Sequence, residues 1–212
     1  MTRVLLTGFS PFDGQPVNAS WEAVEAVRAG WDDADVELDV RLLTVSFRRA
    51  RQELRTAVAE LGPDVVVCVG EAGGRSAVGL ERVAVNVIDA RIPDDDGSAP
   101  VDVPVIAGAP AAFFSTLPVK ACAAEVRAAG VPVEVSSTAG TYVCNATFYA
   151  LMHLADRMLG LRAGFVHVPR LPEQVASGTA LALDETRRAL AAIVRTAATV
   201  EVDVRVTAGT LA

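Results

Sequence analysis

The sequence predicts an α/β protein, a three-layer α/β/α sandwich built on a twisted, mixed central sheet. Three observations lead there. Short β-branched runs alternate along the chain with longer amphipathic ones, which is the pattern of helices packed over a sheet. The run VVVCV, residues 65–69, is too uniformly apolar for a strand with one wet face, so it belongs at the sheet's centre. With 212 residues, 51% of them apolar, the chain can bury one substantial core, and residues 1–212 are expected to form one domain.

The elements follow in order. RVLLTG opens as a strand, NASWEAVEAVRAG reads as a helix, VELDVRLLTV as a strand, FRRARQELRTAVAEL as an amphipathic helix and DVVVCVG as the central strand. From Gly70 to about Gly108 the rhythm breaks: GEAGGR, a strand-like ERVAVNVI that Glu81 opens, and the polar loop DARIPDDDGSAP, whose acids Asp94, Asp95 and Asp96 read as a solvated tip. Long irregular segments in a compact domain are usually functional. Alternation resumes with a helix from about Val119 to Ala129, a strand VPVEVS, a helix after Cys144, a strand AGFVHVP and a last helix from about Ser177 to Ala197. In open α/β sheets ligands bind at the carboxyl ends of strands. TGFSPFDG, GEAGGR, STAGTYVC and VPRLPEQ each follow a strand and are expected to meet at one end of the sheet.

A formal charge of −7 argues against nucleic acid or an anionic lipid surface as a partner, since both require clustered Lys and Arg. No apolar run reaches the roughly 18 residues of a membrane helix, and MTRVLLTGFSPFDG is broken too early to act as a signal peptide. The expected home is the cytoplasm. Cys68, Cys122 and Cys144 are odd in number and lack metal-ligand spacing, so free thiols are expected, with no metal and no cofactor.

Cys144 stands where STAGTY gives way to a helical pattern. A thiol in the first helical turn feels the positive end of the macrodipole, which favours the thiolate and makes a nucleophile. A small buried hydrophobe is the other reading, as it is for Cys68 and Cys122. A cysteine nucleophile needs a base, and the chain holds two histidines. His153 falls more than two turns along the helix from Cys144; His167 ends a strand beside VPRLPEQ and is the better placed, unless it is a hydrogen-bonded structural histidine. Glu81, beside an apolar strand, is the expected carboxylate that orients the imidazole; the alternative is an ion pair with Arg82 or Arg91.

On these residues, and on TGFSPFDG with NASWEAV, GEAGGR, LERVAVNVIDARIPDDDG, STAGTYVCNATFYALMH and GFVHVPRLPEQ, the chain resembles the type I pyroglutamyl peptidases over nearly its whole length. The resemblance implies a Cys144–His167–Glu81 triad, a thioester acyl-enzyme, and peptides with an N-terminal pyroglutamyl residue as substrates. It implies that Arg91 supports developing charge or the loop enclosing it. It also implies a substrate pocket that includes Phe9, Phe12, Asn18, Glu71, Ile92, Tyr142 and Val143, and a homotetramer. The chain departs from the family at Glu71, where many relatives have glutamine, and at Asp13, Tyr142 and Arg170, where glycine, phenylalanine and often an aromatic residue stand. Two other readings compete. The fold class also resembles purine nucleoside phosphorylases, with GEAGGR as a phosphate cradle, although GEAGGR lacks the spacing of a nucleotide fingerprint. A catalytically silent protein that binds pyroglutamyl peptides is the other.

Overall fold

A computed structural model describes residues 1–209. Its elements, in chain order, are β1 (Thr2–Phe9), α1 (Ala19–Ala29), β2 (Val36–Leu43), α2 (Arg49–Leu61), β3 (Val65–Glu71), β4 (Val78–Glu81), β5 (Val83–Val85), β6 (Ala112–Phe114), α3 (Val119–Ala128), β7 (Val133–Ser136), α4 (Val143–Ala155), β8 (Arg162–Val168) and α5 (Leu183–Thr199). A single 3-10 turn, Pro172–Gln174, lies between β8 and α5.

Six strands form the central sheet in the order β2-β1-β3-β8-β4-β7. The first four are mutually parallel, whereas β4 runs antiparallel to β8 and parallel to β7. The sheet is therefore mixed, with β3 near its middle, and Val65 to Gly70 are all buried as a doubly covered strand requires. α1, α3 and α5 cover one face over an aliphatic core that includes Val67, Val69, Leu190 and Ile193. α2, α4 and the β5–β6 hairpin cover the other over Leu5, Cys68, Phe148 and Phe165. Cys122 packs into the first face and Cys68 into the second, both fully buried free thiols. Among the described residues no helix is long and apolar enough to cross a membrane.

Local chemistry explains the boundaries. Asn18 caps α1, its Oδ1 accepting from the Ser20 N–H at 3.0 Å. Gly62 closes α2 in the left-handed conformation at φ 56°, where a Cβ would be strained. The last helix starts at Leu183, six residues later than the pattern predicts, because Gly178 adopts φ 107° and no helix can pass through it. Asp184 and Glu185 then supply the acidic first turn.

The middle segment differs most from expectation. ERVAVNVI is not one strand: Glu81 ends β4, and Val83–Val85 turns away to pair with Ala112–Phe114. β4 itself comes from within the stretch GEAGGRSAVGL that reads as a loop; VGLE is too short to show an alternation of its own. Because β4 and β7 run opposite to β1, β3 and β8, STAGTYVC leaves the sheet in the reverse direction and must climb back to reach the carboxyl ends of the other strands. Asp94 is no solvated tip. It is 6% exposed, and its carboxylate accepts from the N–H groups of Phe47, Asp96 and Ser98 at 2.8, 3.0 and 2.8 Å, pinning the loop to the start of α2.

Candidate active site

The site is assembled where α4 begins above the centre of the sheet. Gly70 in β3 is paired in register with His167 in β8, and an added Cβ on Gly70 would lie 2.8 Å from the Cys144 Sγ and 2.9 Å from the Phe165 ring. The bare glycine thus seats the thiol directly on the sheet, next to the strand that carries His167. Phe165 and His167 lie on the same face of β8, their ring centroids 4.9 Å apart, so thiol and imidazole share the α4 side. On the adjacent antiparallel strand, Gly79 is opposite His167 and Glu81 is opposite Phe165. That register sends the Glu81 side chain onto the same face, diagonal to the imidazole.

Glu81 is completely buried, and its Oε1 lies 2.7 Å from His167 Nδ1. The same oxygen is 2.9 Å from Nη2 of Arg75. The bond to Glu81 orients the ring so that Nε2 is left for other work. Arg75, which closes the GEAGGR motif, carries no signal of this role in the sequence. Its guanidinium lies against the Cα of Gly79, where any side chain would collide with it, and its Nη2 also donates to the Thr138 carbonyl at 3.1 Å. One cation therefore offsets the charge of the buried carboxylate and ties down the returning STAGTY segment. Glu81 Oε2 has no partner among the described residues. Neither Arg82 nor Arg91 pairs with Glu81; Arg82 donates to the Ala208 carbonyl instead.

The first turn of α4 is equally defined. Tyr142 is its N-cap, and Cys144 is its second residue, so the N–H groups of Val143 and Cys144 have no intrahelical acceptor. Asn145 straps the helix start to β5, its Oδ1 accepting from the Val85 N–H at 3.0 Å and its Nδ2 donating to the carbonyls of Val85 and Val87 at 2.9 and 3.0 Å. The expectation of a depressed Cys144 thiol pKa does not hold for the resting site. Burial, the charge of Glu81 and the neighbouring Cys68 push it up to about 12, and Arg75 offsets this only in part. Desolvation opposes the pull of the helix start on the proton, so proton transfer to a neighbouring base is what makes this sulfur nucleophilic.

A cavity of about 450 Å³ opens beside the thiol. It is lined by Cys144 together with every residue expected in the pocket, namely Phe9, Phe12, Asn18, Glu71, Ile92, Tyr142 and Val143, and by Arg91. Phe9 and Val143 are buried at its floor; Asp13, Gly73 and Arg91 are exposed at its rim. The Phe12 and Tyr142 rings lie 5.5 Å apart, and Phe47 meets Tyr142 edge-on at 5.2 Å. The hydroxyl that distinguishes Tyr142 from phenylalanine donates to the Pro93 carbonyl at 2.9 Å, and burial raises its pKa. Asn18 faces the cavity while its Nδ2 donates to the Ser10 carbonyl at 2.9 Å. His153 sits elsewhere, stacked on Tyr149.

GEAGGR offers little to a phosphate. The Ala72 N–H donates to the Val168 carbonyl, the Arg75 N–H to the Ala72 carbonyl, and the Arg75 side chain is committed to Glu81. Among the described residues no cluster of His, Cys, Asp and Glu has the geometry to hold a metal ion.

Residues 2–202 match the family model described as pyroglutamyl peptidase. The chain is 53% identical to the pyrrolidone-carboxylate peptidase of Clavibacter michiganensis, with 100% of each chain covered, and 51% identical to that of Streptomyces coelicolor, with 99% of each covered. Its fold superposes on the crystal structure of Bacillus amyloliquefaciens pyroglutamyl peptidase I with a TM-score of 0.93 at 41% identity, covering 96% of this chain and 100% of that one. The pyrrolidone carboxyl peptidase of Thermococcus litoralis follows with a TM-score of 0.88 at 35% identity, over 93% of each chain.

Proposed function

Since the chain belongs to the pyroglutamyl peptidase family, we propose that it removes N-terminal pyroglutamate from peptides by cysteine nucleophilic catalysis through a thioester. The observation that carries this reading is the Cys144 thiol seated on Gly70, in register with a histidine whose Nδ1 is held by a buried carboxylate, at the wall of an aromatic cavity.

In the proposed reaction His167 takes the thiol proton as Sγ attacks the carbonyl carbon that joins the pyroglutamyl ring to the next residue. The N–H of Cys144, free in the first turn of α4, donates to the oxyanion. Collapse of the tetrahedral intermediate breaks the C–N bond, and His167 returns its proton to the leaving amine. A water molecule then loses a proton to His167 and attacks the thioester; the C–S bond breaks, pyroglutamate departs and the thiol is restored. Glu81 keeps the imidazole in the required tautomer and stabilises its protonated form, as in other nucleophile–base–acid sites. Arg75 positions Glu81. Arg91, at the rim, supports the developing negative charge or the loop that encloses it.

The substrate's chemistry suits the cavity. Cyclisation removes the terminal positive charge and leaves a small ring with one N–H and one C=O, which favours aromatic and aliphatic walls with a few hydrogen-bonding groups. Phe9, Phe12, Tyr142, Ile92 and Val143 supply the walls, and Asn18 and Glu71 border the polar side. The test is release of an aromatic amine from a pyroglutamyl amide, compared with prolyl and glutaminyl amides. Hydrolysis of the pyroglutamyl compound alone is expected, and equal turnover of all three would end the proposal. A homotetramer in the cytoplasm belongs to the same reading and is checked by light scattering and cell fractionation.

A further inference from the structure

Arg170 follows β8 by two residues, and its guanidinium lies flat over Gly73: an added Cβ there would sit 3.1 Å from Nε, 3.3 Å from Cζ and 3.6 Å from Nη2. Its Nε donates to Glu71 Oε1 at 3.1 Å. Glu71 is itself immobilised, because its Oε2 accepts from the Ala19 N–H at the start of α1 and from Gln174 Nε2, both at 2.8 Å. The clamp takes only the Nε edge of Arg170. Among the described residues neither Nη atom has a protein partner, and the side chain is about a third exposed in the wall of the cavity that contains Cys144. A guanidinium with one edge fixed and the opposite edge free is preorganised for a bidentate carboxylate.

Depth within the cavity says which part of a substrate meets it. The uncharged pyroglutamyl ring belongs among the buried walls of Phe9 and Val143, whereas the leaving peptide must run outward past the rim. Four charged groups besides Glu71 border that path: Asp13, Asp89, Arg91 and Arg170. Asp13 and Asp89 repel an anion, and Arg91 is a long exposed chain with no hydrogen bond or ion pair holding it among the described residues. Arg170 alone is both cationic and held in place. Resting on the peptidase reading above, we propose that Arg170, clamped by Glu71, receives a carboxylate on the residue that follows pyroglutamate, and so biases the enzyme towards short or acidic pyroglutamyl peptides.

The experiment compares kcat/KM for matched substrates with purified enzyme at low salt. Pyroglutamyl-alanine against pyroglutamyl-alanine amide reads a terminal carboxylate. Pyroglutamyl-glutamate amide against pyroglutamyl-glutamine amide reads a side-chain carboxylate. A preference of about two- to fivefold for the charged member of at least one pair is expected from a partly exposed charge pair. It should appear mainly in KM and decline as salt rises towards 0.5 M. Arg170→Gln should bring that ratio to about one, and Arg170→Lys should restore part of it, which a merely structural role would not do. The salt titration needs no variant and decides the matter even if Arg170→Gln fails to fold. Amide hydrolysis with both ratios near one in the wild type, or a ratio that survives Arg170→Gln, overturns the carboxylate proposal and leaves the peptidase reading standing. Absence of hydrolysis from every pyroglutamyl compound overturns both.

Discussion

Two glutamates border the same site and have opposite surroundings. Glu81 lies on the α4 side of the sheet, completely buried, with His167 and Arg75 on one oxygen and, among the described residues, no partner on the other. Glu71 is the last residue of β3, on the α1 side, and its two oxygens hold three donors, one from the start of α1 and two from the segment that follows β8. A carboxylate whose two oxygens both hold donors is a structural clamp. One buried beside a single imidazole and a single cation, with capacity left over, gains most when that imidazole becomes positively charged. The difference between poised and settled lies in the neighbours, because the residue type is the same.

The largest effect should come from removing the sulfur that the Glu81 side serves. Cys144→Ala is expected to lower amine release from a pyroglutamyl amide by at least about 10³-fold, the scale seen when a nucleophile is deleted. Cys68→Ala and Cys122→Ala, in the two apolar cores, should keep wild-type turnover per folded molecule. Substantial activity in Cys144→Ala would break the comparison at its root. Glu81→Gln should follow, with kcat lowered by about 10²-fold or more and the fold retained, because an amide no longer dictates the tautomer. Glu71→Gln should cost far less in kcat, and the reverse ranking would exchange the roles of the two acids.

Iodoacetamide sharpens the same contrast through pH. In His167→Ala burial, Glu81 and Cys68 still favour the neutral thiol, and Arg75 opposes them only in part. A raised pKa means that the reactive thiolate grows with pH, so alkylation of this variant should climb about tenfold per pH unit from 7 to 10 with no plateau. In the intact protein the imidazole can accept the proton, and reactivity should appear at lower pH as a property of the Cys–His pair. Identical profiles for the two proteins would remove His167 as the base.

Much of this was legible in the sequence, and the failures share a cause. Helices α1 to α4 and strands β1, β2, β3, β7 and β8 announce themselves by periodicity long enough to count. The three residues of the proposed triad could be singled out because cysteine and histidine are scarce and Glu81 is an acid beside an apolar run. Arg75 could not be assigned, since its role depends on the missing side chain of Gly79 and on a β4–β8 pairing that no local pattern encodes. The same pairing ends β4 at Glu81 and so splits ERVAVNVI, whose composition is that of one strand. Asp94 misled because an acid triplet in a polar loop has the composition of a solvated tip, while its three N–H donors come from backbone, which composition does not record. The direction of STAGTYVC was hidden for a related reason: strand polarity in a mixed sheet is set by long-range partners.

On the settled side, Glu71→Gln should be read mainly as stability. With its oxygen kept towards Ala19 and Gln174, the new amide group would point its own donors at Arg170 Nε, so a charge-assisted bond becomes a donor–donor conflict. A loss of about 1–3 kcal/mol is expected. For a chain of this length that corresponds to a fall of roughly 2–4 °C in melting temperature per kcal/mol. Glu71→Ala should be worse, since it strands the Ala19 N–H and Gln174 as well.

The smallest effect tests the wall between the two glutamates. Tyr142 caps α4 and donates its hydroxyl to the Pro93 carbonyl, joining the helix that carries Cys144 to the loop that carries Arg91 and Ile92. Tyr142→Phe keeps the ring contacts with Phe12 and Phe47 and deletes only that bond, for an expected loss of about 0.5–1.5 kcal/mol. The loop is also held by Asp94 and by the pair of bonds between Thr141 and Asp89, so it should stay ordered without the hydroxyl. The expected result is a melting temperature a few degrees lower with KM for a pyroglutamyl amide changed less than about threefold. A tenfold rise in KM with unchanged stability would mean that the hydroxyl serves the substrate, and the polar side of the pocket would then extend to the α4 wall.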